Sequence, residues 1–217
     1  MQMKKAIFRC APILIALTAI GGGCSSLDRS RSLADSKVPV RTTAQQVCSN
    51  CHGMDGNSVS PNFPRLAAQT QDYLMKQLKD YRGHNRQNPP AYEYMWGISR
   101  SLTDQQIEGL AKYFTTQKPT QNVPGNPKLV TEGERIYKEG IPSAKVAACA
   151  GCHGDSAQGN EQSPRLAGQH SDYLIKQLQV FKRGDERPAP IMEEVAHSLT
   201  PDNMTAVANY LQGMVLR

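Results

Sequence analysis

Two five-residue segments constrain what this 217-residue chain can fold into. They are Cys48-Ser49-Asn50-Cys51-His52 and Cys149-Ala150-Gly151-Cys152-His153, and both follow the pattern C-x-x-C-H. Two thiols at this spacing can form thioether bonds to the two vinyl groups of one porphyrin, and the adjacent histidine can bind its iron. One such segment alone could be chance or half of a zinc site. Two segments with matching downstream sequence predict two covalent haem c groups.

The sequence that follows each segment is repeated about one hundred residues later. Residues 64–69, PRLAAQ, return as PRLAGQ at 164–169, and residues 72–78, DYLMKQL, return as DYLIKQL at 172–178. A duplication with one cofactor segment in each copy predicts two domains, since a solenoid needs three or more short units.

The chain divides into five predicted segments. They are a signal peptide over 1–23, a flexible tether over 24–40, one domain over 41–118, a linker over 119–127 and a second domain over 128–217. The tether has no apolar periodicity, and the linker carries three prolines. In both domains apolar residues recur at helical spacing and no strand pattern competes, which predicts an all-α fold wrapped around haem.

Three helical stretches are expected in each domain. The first leads into the C-x-x-C-H segment, and the middle one contains the repeated D-Y-L-x-K-Q-L. The last begins after a threonine cap, Thr103 or Thr200. Gln106 would complete a capping box with Thr103, and Pro201 stands at the first helical position, where proline is tolerated.

The N-terminus has the features of a secretory signal. Lys4 and Lys5 precede an apolar stretch over residues 13–20 that is too short for an ordinary transmembrane helix. Cys24 stands where a bacterial lipoprotein is cleaved and acylated, although Gly21 takes a position that leucine usually holds. We expect an exported, periplasmic protein tethered to the membrane surface through Cys24. The alternative is cleavage nearby that leaves Cys24 as a free thiol.

The sixth coordination position of each iron decides between electron transfer and catalysis. Met95 and Met192 both lie six residues before a repeated Ser-Leu-Thr, in proline-flanked segments that we expect to be non-helical. We therefore predict His52 and His153 as proximal ligands and these two methionines as distal ligands. The alternative is that both methionines are core residues.

The repeated P-R-L motif is expected to support the haem. The proline carbonyl can accept a hydrogen bond from the ligating histidine, which fixes the imidazole ring and raises its basicity. The leucine would pack on the porphyrin. The arginine between them, Arg65 or Arg165, is either a propionate partner or a solvated surface residue. The supporting residues are Pro64, Leu66, Pro164 and Leu166.

These motifs resemble those of class I c-type cytochromes, and the duplication is similar to the dihaem cytochrome c4 family. The resemblance covers residues 41–216. It implies two small helical domains in a pseudo-twofold arrangement, haem propionates near each other and low-spin irons bound by histidine and methionine. It also implies a periplasmic electron carrier that feeds a terminal oxidase. The first domain departs from the family because it lacks the Gly133 and Tyr137 pair that lets the first and last helices cross closely.

We expect an electron carrier, not an enzyme, whose partners are redox proteins: an oxidase, a reductase or a dehydrogenase. Basic residues are scattered, so no nucleic acid is expected as a partner. As an electron carrier, the protein is also expected to have no small-molecule substrate. A cytochrome subunit of a dehydrogenase complex and a dihaem peroxidase with one open iron are the alternatives.

Residues 41–118 hold nine basic and six acidic groups, and residues 128–217 hold ten basic and eleven acidic groups. A further hypothesis is that the first domain docks an acidic partner. Its aromatic residues Tyr92, Tyr94 and Trp96 would either shield the haem or form the docking patch.

Overall fold

The computed structural model describes Leu33, Asp35 and residues 37–120, 123–186 and 189–215. Its regular elements are helices, and no β-strand occurs within the described residues. The predicted all-α fold is therefore confirmed. The predicted signal peptide and Cys24 lie outside the described residues. In the part of the chain that the structure describes, no helix is long and apolar enough to cross a membrane.

The first domain is built from helices that surround one apolar core. Its helices are α1 (Val40–Thr43), α2 (Ser49–His52), α3 (Gln71–Arg82), α4 (Trp96–Ser99) and α5 (Asp104–Thr115). Single π-helical turns precede two of them, over Ala44–Cys48 and Ala91–Met95. Ile107, Leu110 and Phe114 of α5 pack with Leu74 of α3 at the centre of the core.

The second domain repeats this arrangement. Its helices are α6 (Pro127–Glu139), α7 (Ala150–His153), α8 (Ser171–Lys182), α9 (Pro190–His197) and α10 (Pro201–Gly213), with a short 3₁₀ turn over Pro142–Ala144. Ile136 and Tyr137 of α6 pack with Val207 and Leu211 of α10 and Leu174 of α8. The two cores are separate, so each domain buries its own apolar residues.

The last helix of each domain begins as predicted. The Thr103 hydroxyl accepts a hydrogen bond from the Gln106 N–H, and the Thr103 N–H donates to Gln106 Oε1, which confirms the capping box. Thr200 forms the same box with Asn203, and Pro201 takes the first helical position. Each box satisfies two backbone donors that a helix start leaves without intrahelical partners.

The first and last helices cross closely in both domains, with a glycine on opposite sides of the crossing. In the second domain a Cβ on Gly133 of α6 would collide with the carbonyl of Ala206 on α10. In the first domain the glycine is Gly109 on α5, where a Cβ would come within 2.6 Å of Val40 on α1. Although Gly133 has no counterpart in the first domain, Gly109 allows an equivalent close approach.

Parts of the predicted tether and linker contact the domains. Leu33 packs beside the first core, and its carbonyl accepts a hydrogen bond from Gln106. In the linker the N–H of Thr120 donates to Asn57 Oδ1 at 2.8 Å. The N–H of Asn126 donates to Asn209 Oδ1 at 3.1 Å. The linker is thus anchored to one domain near each end.

Candidate haem sites

Each C-x-x-C-H segment forms one turn of helix. In the first domain the π-helical turn ends on Cys48, and α2 carries the chain to His52. In the second domain α7 begins directly after Cys149 and ends on His153. Because one helical turn separates residues three apart, the two thiols of a segment lie on the same side of the backbone. All four thiols are free: Cys48, Cys51, Cys149 and Cys152.

Burial keeps the first thiol of each segment protonated. Desolvation raises the pKa of Cys48 to about 11 and that of Cys149 to about 11. A redox-active C-x-x-C pair needs the opposite shift, because the thiolate is the reactive form. The shift at Cys48 and Cys149 is thus opposite to the one that would favour thiol exchange.

The histidine of each segment meets the carbonyl of the repeated proline. His52 Nδ1 lies 2.9 Å from the carbonyl oxygen of Pro64, and His153 Nδ1 lies 2.9 Å from that of Pro164. A carbonyl can only accept, so Nδ1 must carry the proton in both rings. This tautomer leaves each Nε2 with a free lone pair, which is the form that binds a metal.

Both imidazoles are buried and neutral. His52 is 7% exposed and His153 is 6% exposed. Desolvation lowers the pKa of each ring, and the hydrogen bond to the proline carbonyl opposes that shift. At neutral pH both rings are therefore in the uncharged state that a ligand needs.

The two predicted methionine ligands lie in helical turns, so the expectation of non-helical segments was wrong. Met95 ends the π-helical turn, and Met192 lies in the first turn of α9. The prolines before them start these helices. Pro90 is the N-terminal cap of the first, and Pro190 is the first residue of the second, where its missing N–H and fixed φ cost nothing. Both methionine side chains are half-buried.

Both π-helical turns of the first domain end on a predicted haem residue, Cys48 or Met95. Such turns widen a helix locally and are frequent at functional sites. The leucines of the P-R-L motif are half-buried, each in its own domain. Leu66 packs against the first core and Leu166 against the second.

The two arginines of the motif are buried at the boundary between the domains, so a role as solvated surface residues is excluded. Arg65 is 8% exposed and Arg165 is 2% exposed. Arg65 Nη1 donates to the carbonyl of Gly168 at 2.7 Å. Arg165 donates through Nη2 to the carbonyl of Ala67 at 2.7 Å and through Nη1 to that of Ala167. Each guanidinium therefore reaches a backbone oxygen of the opposite domain.

These arginines test whether the site fits haem. Within the described residues neither forms an ion pair, and the Nε of each is buried without a partner. Burial, and then the nearby Arg65 cation, lowers the pKa of Arg165 to about 10. Two adjacent buried cations require a compensating anion. Haem carries two propionates, so the residues present fit this cofactor.

Two glutamines that sequence reasoning did not single out join the domains. Gln69 Oε1 accepts from the N–H of Arg165 at 2.7 Å, and Gln169 Oε1 accepts from the N–H of Arg65 at 2.8 Å. Their amide groups also donate to the Arg165 and Arg65 carbonyls, both at 3.0 Å. The signal was present in the sequence, because both glutamines end the repeated P-R-L-A-x-Q motif.

Comparisons with known proteins agree with this geometry. The chain matches the family model described as Cytochrome c over residues 39–118 and again over residues 130–214. It is 39% identical over 178 residues to cytochrome c4 of Azotobacter vinelandii, which covers 77% of this chain and 84% of that protein. The solved structure of reduced recombinant cytochrome c4 from Pseudomonas stutzeri matches with a TM-score of 0.71 at 37% identity, over 80% of this chain and 97% of the other.

A relative with a more specific name is also similar. The chain is 32% identical over 175 residues to a protein named thiosulfate dehydrogenase electron acceptor from Thiomonas intermedia. The match covers 78% of this chain and 79% of that protein.

Proposed function

Because this chain belongs to the dihaem cytochrome c4 family, we propose that it is a periplasmic electron carrier of a respiratory chain. It would take electrons from a quinol- or substrate-oxidising complex and pass them to a terminal oxidase. The protein binds two haem c groups, one in each domain, and transfers electrons without catalysing a reaction. The predicted cofactors are thereby confirmed.

The observation that carries this proposal is the repeated histidine–proline pair. In each domain the 2.9 Å contact with the proline carbonyl holds the imidazole in the tautomer whose Nε2 can bind iron. Haem iron supplies the one-electron couple between the ferrous and ferric states. Residues Cys48, Cys51, Cys149 and Cys152 would hold the porphyrins, His52 and His153 would hold the irons, and Arg65 and Arg165 would offset propionate charge.

We assign Met95 and Met192 to the sixth positions. A thioether ligand favours ferrous iron and closes the iron to peroxide and oxygen, so each haem carries electrons only. A dihaem peroxidase would leave one iron open. Optical spectra of the ferric holoprotein distinguish the two functions: two low-spin haems and no peroxide turnover support the carrier, whereas a high-spin fraction with peroxide turnover refutes it.

A second candidate function is electron acceptor of a dehydrogenase complex. The similarity to the Thiomonas intermedia protein favours it, because that protein is named as the acceptor of such an enzyme. Isolation from membranes of the source organism in mild detergent separates the two cases. A carrier is recovered without a stoichiometric partner, and a complex subunit is recovered with its dehydrogenase.

We propose the first domain as the docking side. Tyr92 and Tyr94 beside Met95 are 58% and 62% exposed, whereas Glu193 and Glu194 are the exposed neighbours of Met192. Trp96 is half-buried, and its ring stacks on that of Tyr92 with the ring centroids 6.3 Å apart. Trp96 would therefore shield the haem, and the two exposed tyrosines would contact the partner. The excess of basic residues in this domain would attract an acidic partner. An exchange rate that does not change with ionic strength would refute this electrostatic docking.

We further propose that Cys24 is acylated after cleavage of residues 1–23, which would tether the domains at the membrane surface. The N-terminal sequence motif supports this proposal. Mass spectrometry of the mature protein tests it: a lipid-modified N-terminal Cys24 supports the tether, and an unmodified terminus refutes it.

A further inference from the structure

Four of the hydrogen bonds that join the two domains are reciprocal. The N–H of Arg65 donates to Gln169, and the N–H of Arg165 donates to Gln69. The side-chain amide of Gln69 donates to the Arg165 carbonyl, and that of Gln169 donates to the Arg65 carbonyl. The donors, acceptors and residue types match on both sides, and the distances agree within 0.1 Å. Such a surface is self-complementary, like that of a twofold dimer. These contacts alone do not distinguish a first domain from a second.

One pair of equivalent positions in this interface breaks the symmetry in charge. Arg86 and Glu186 occupy equivalent places in the two repeats, and they face each other in an antiparallel bridge across the boundary. The N–H of Gln87 extends the bridge by donating to the carbonyl of Asp185 at 3.0 Å. A residue that pairs with its own counterpart lies on the pseudo-twofold axis. At this point the repeats differ by a full reversal of charge.

The two charges are paired and removed from water. Arg86 Nη2 lies 3.1 Å from Glu186 Oε2, and each side chain is 2% exposed. Arg86 also donates to Gln77 Oε1 at 2.6 Å and to Gln177 Oε1 at 3.0 Å. Glu186 accepts from the amide of Gln177. One symmetric glutamine from each domain therefore supports a pair that is itself asymmetric.

A further asymmetry accompanies the arginine. The hydroxyl of Tyr81 accepts a hydrogen bond from Arg86 Nη1 at 2.7 Å. The equivalent residue of the second domain is Phe181, which has no hydroxyl. The first domain therefore provides a hydroxyl group for the cation at a position where the second domain has none.

The consequence concerns the partners that each domain accepts. Two first domains from separate molecules could form all the reciprocal arginine and glutamine bonds, but they would bury two Arg86 cations against each other. Two second domains would bury two Glu186 carboxylates. Buried like charges are strongly unfavourable, and setting the choice of partner is the best-attested use of a buried polar pair.

We propose that the Arg86–Glu186 pair is a recognition element that restricts this self-complementary surface to the pairing of a first domain with a second. The surface itself fits another copy of this chain. The pair excludes first–first and second–second contacts, and it leaves the pairing of a first domain with a second, within one chain or between two, as the contact with complementary charge. The linker supports the same outcome by holding the second domain at high effective concentration.

Three variants of the holoprotein test the proposal. Arg86→Glu places two carboxylates on the axis, Glu186→Arg places two cations there, and the double variant restores opposite charges in reversed order. Domain opening is measured as the rate of proteolysis in the linker. Each single variant is expected to be cleaved at least about tenfold faster than the natural protein, because like charges disfavour the closed form. The double variant should return toward the natural rate.

Mixing the two single variants supplies the decisive measurement. Within each variant the two domains carry like charges at the paired positions. Between the two variants, each domain can meet a domain that carries the opposite charge. Light scattering after size exclusion should show a one-to-one complex in the mixture and monomers in each variant alone. A mixture that stays monomeric, or single variants with the natural cleavage rate, would overturn the proposal. So would failure of the single and double variants alike to accumulate as folded dihaem protein, since the pair would then be needed for folding and not for pairing.

Discussion

His170, immediately before α8 of the second domain, donates from Nε2 to the backbone carbonyl of Ser58 in the first domain at 2.9 Å. The Ser58 hydroxyl lies 3.0 Å from the same nitrogen and gives its own proton to the carbonyl of Phe63. Nε2 must therefore carry a proton, and the ring is neutral in this buried site. The contact links the domains through a histidine, the side chain whose ordinary pKa lies nearest to physiological pH.

The burial of His170 predicts a loss of stability on mild acidification. Burial, and then the Arg65 cation, lowers the pKa of His170, whereas the hydrogen bond with the Ser58 backbone and then Asp172 oppose the shift. Below the ordinary histidine pKa of about 6.5 the unfolded chain binds a proton that the folded chain does not. The free energy of unfolding therefore decreases as the pH is lowered. Above that value the contribution is constant.

Urea unfolding of the holoprotein between about pH 5 and 7 checks this prediction against His170→Gln, whose amide can still donate to Ser58. The variant should show a weaker loss of stability toward pH 5 than the natural protein. Equal pH dependence in the two proteins would contradict the assignment. Comparing the two also cancels the contributions of His52 and His153.

Arg165 is predicted to raise the potential of a haem. Removing a buried cation near a propionate disfavours the less positive ferrous state. Arg165→Gln should therefore lower at least one midpoint potential by roughly 30–60 mV, where 59 mV is a tenfold change for one electron. The control is Lys176→Gln on the exposed side of α8, whose charge is screened by water and salt. Spectroelectrochemical titration measures both, and equal shifts would refute the propionate role.

Gly133 is predicted to be essential for the crossing of α6 and α10. Gly133→Ala would push a methyl group into the carbonyl of Ala206, which should cost about 1–3 kcal/mol of the free energy of unfolding. The matched control is Gly97→Ala, because nothing lies within 4 Å of a Cβ at that exposed helical position. That change should be neutral or stabilising by up to about 1 kcal/mol. Urea denaturation measures the free energy of unfolding of both variants. Equal values for the two would contradict the predicted clash.

Local spacing made much of the fold predictable from sequence. The C-x-x-C-H segments, the capping boxes and the apolar faces of α3, α5, α8 and α10 depend on residues within a few positions of each other. The methionine segments were misjudged because a proline can start a helix as readily as it excludes one, and Pro190 does the former. The motif itself did not reveal that Arg65 and Arg165 are buried, since burial here depends on docking of the second domain.

The Arg86–Glu186 pair could not be predicted, for a different physical reason. Its partners are one hundred residues apart, neither belongs to a repeated motif, and single charged residues are usually solvated. The duplication does indicate that the two positions are equivalent. A twofold axis through that position is a property of the assembled domains alone.

We propose that a methionine closes each of the two irons, which would make the protein a carrier. In a ferrous low-spin haem the methyl group of a bound methionine lies over the porphyrin, and ring current moves its proton NMR signal far upfield. The ferrous holoprotein should show two such signals, with one lost in Met95→Ala and the other in Met192→Ala. Two unchanged signals in either variant, or fewer than two in the natural protein, would contradict the claim.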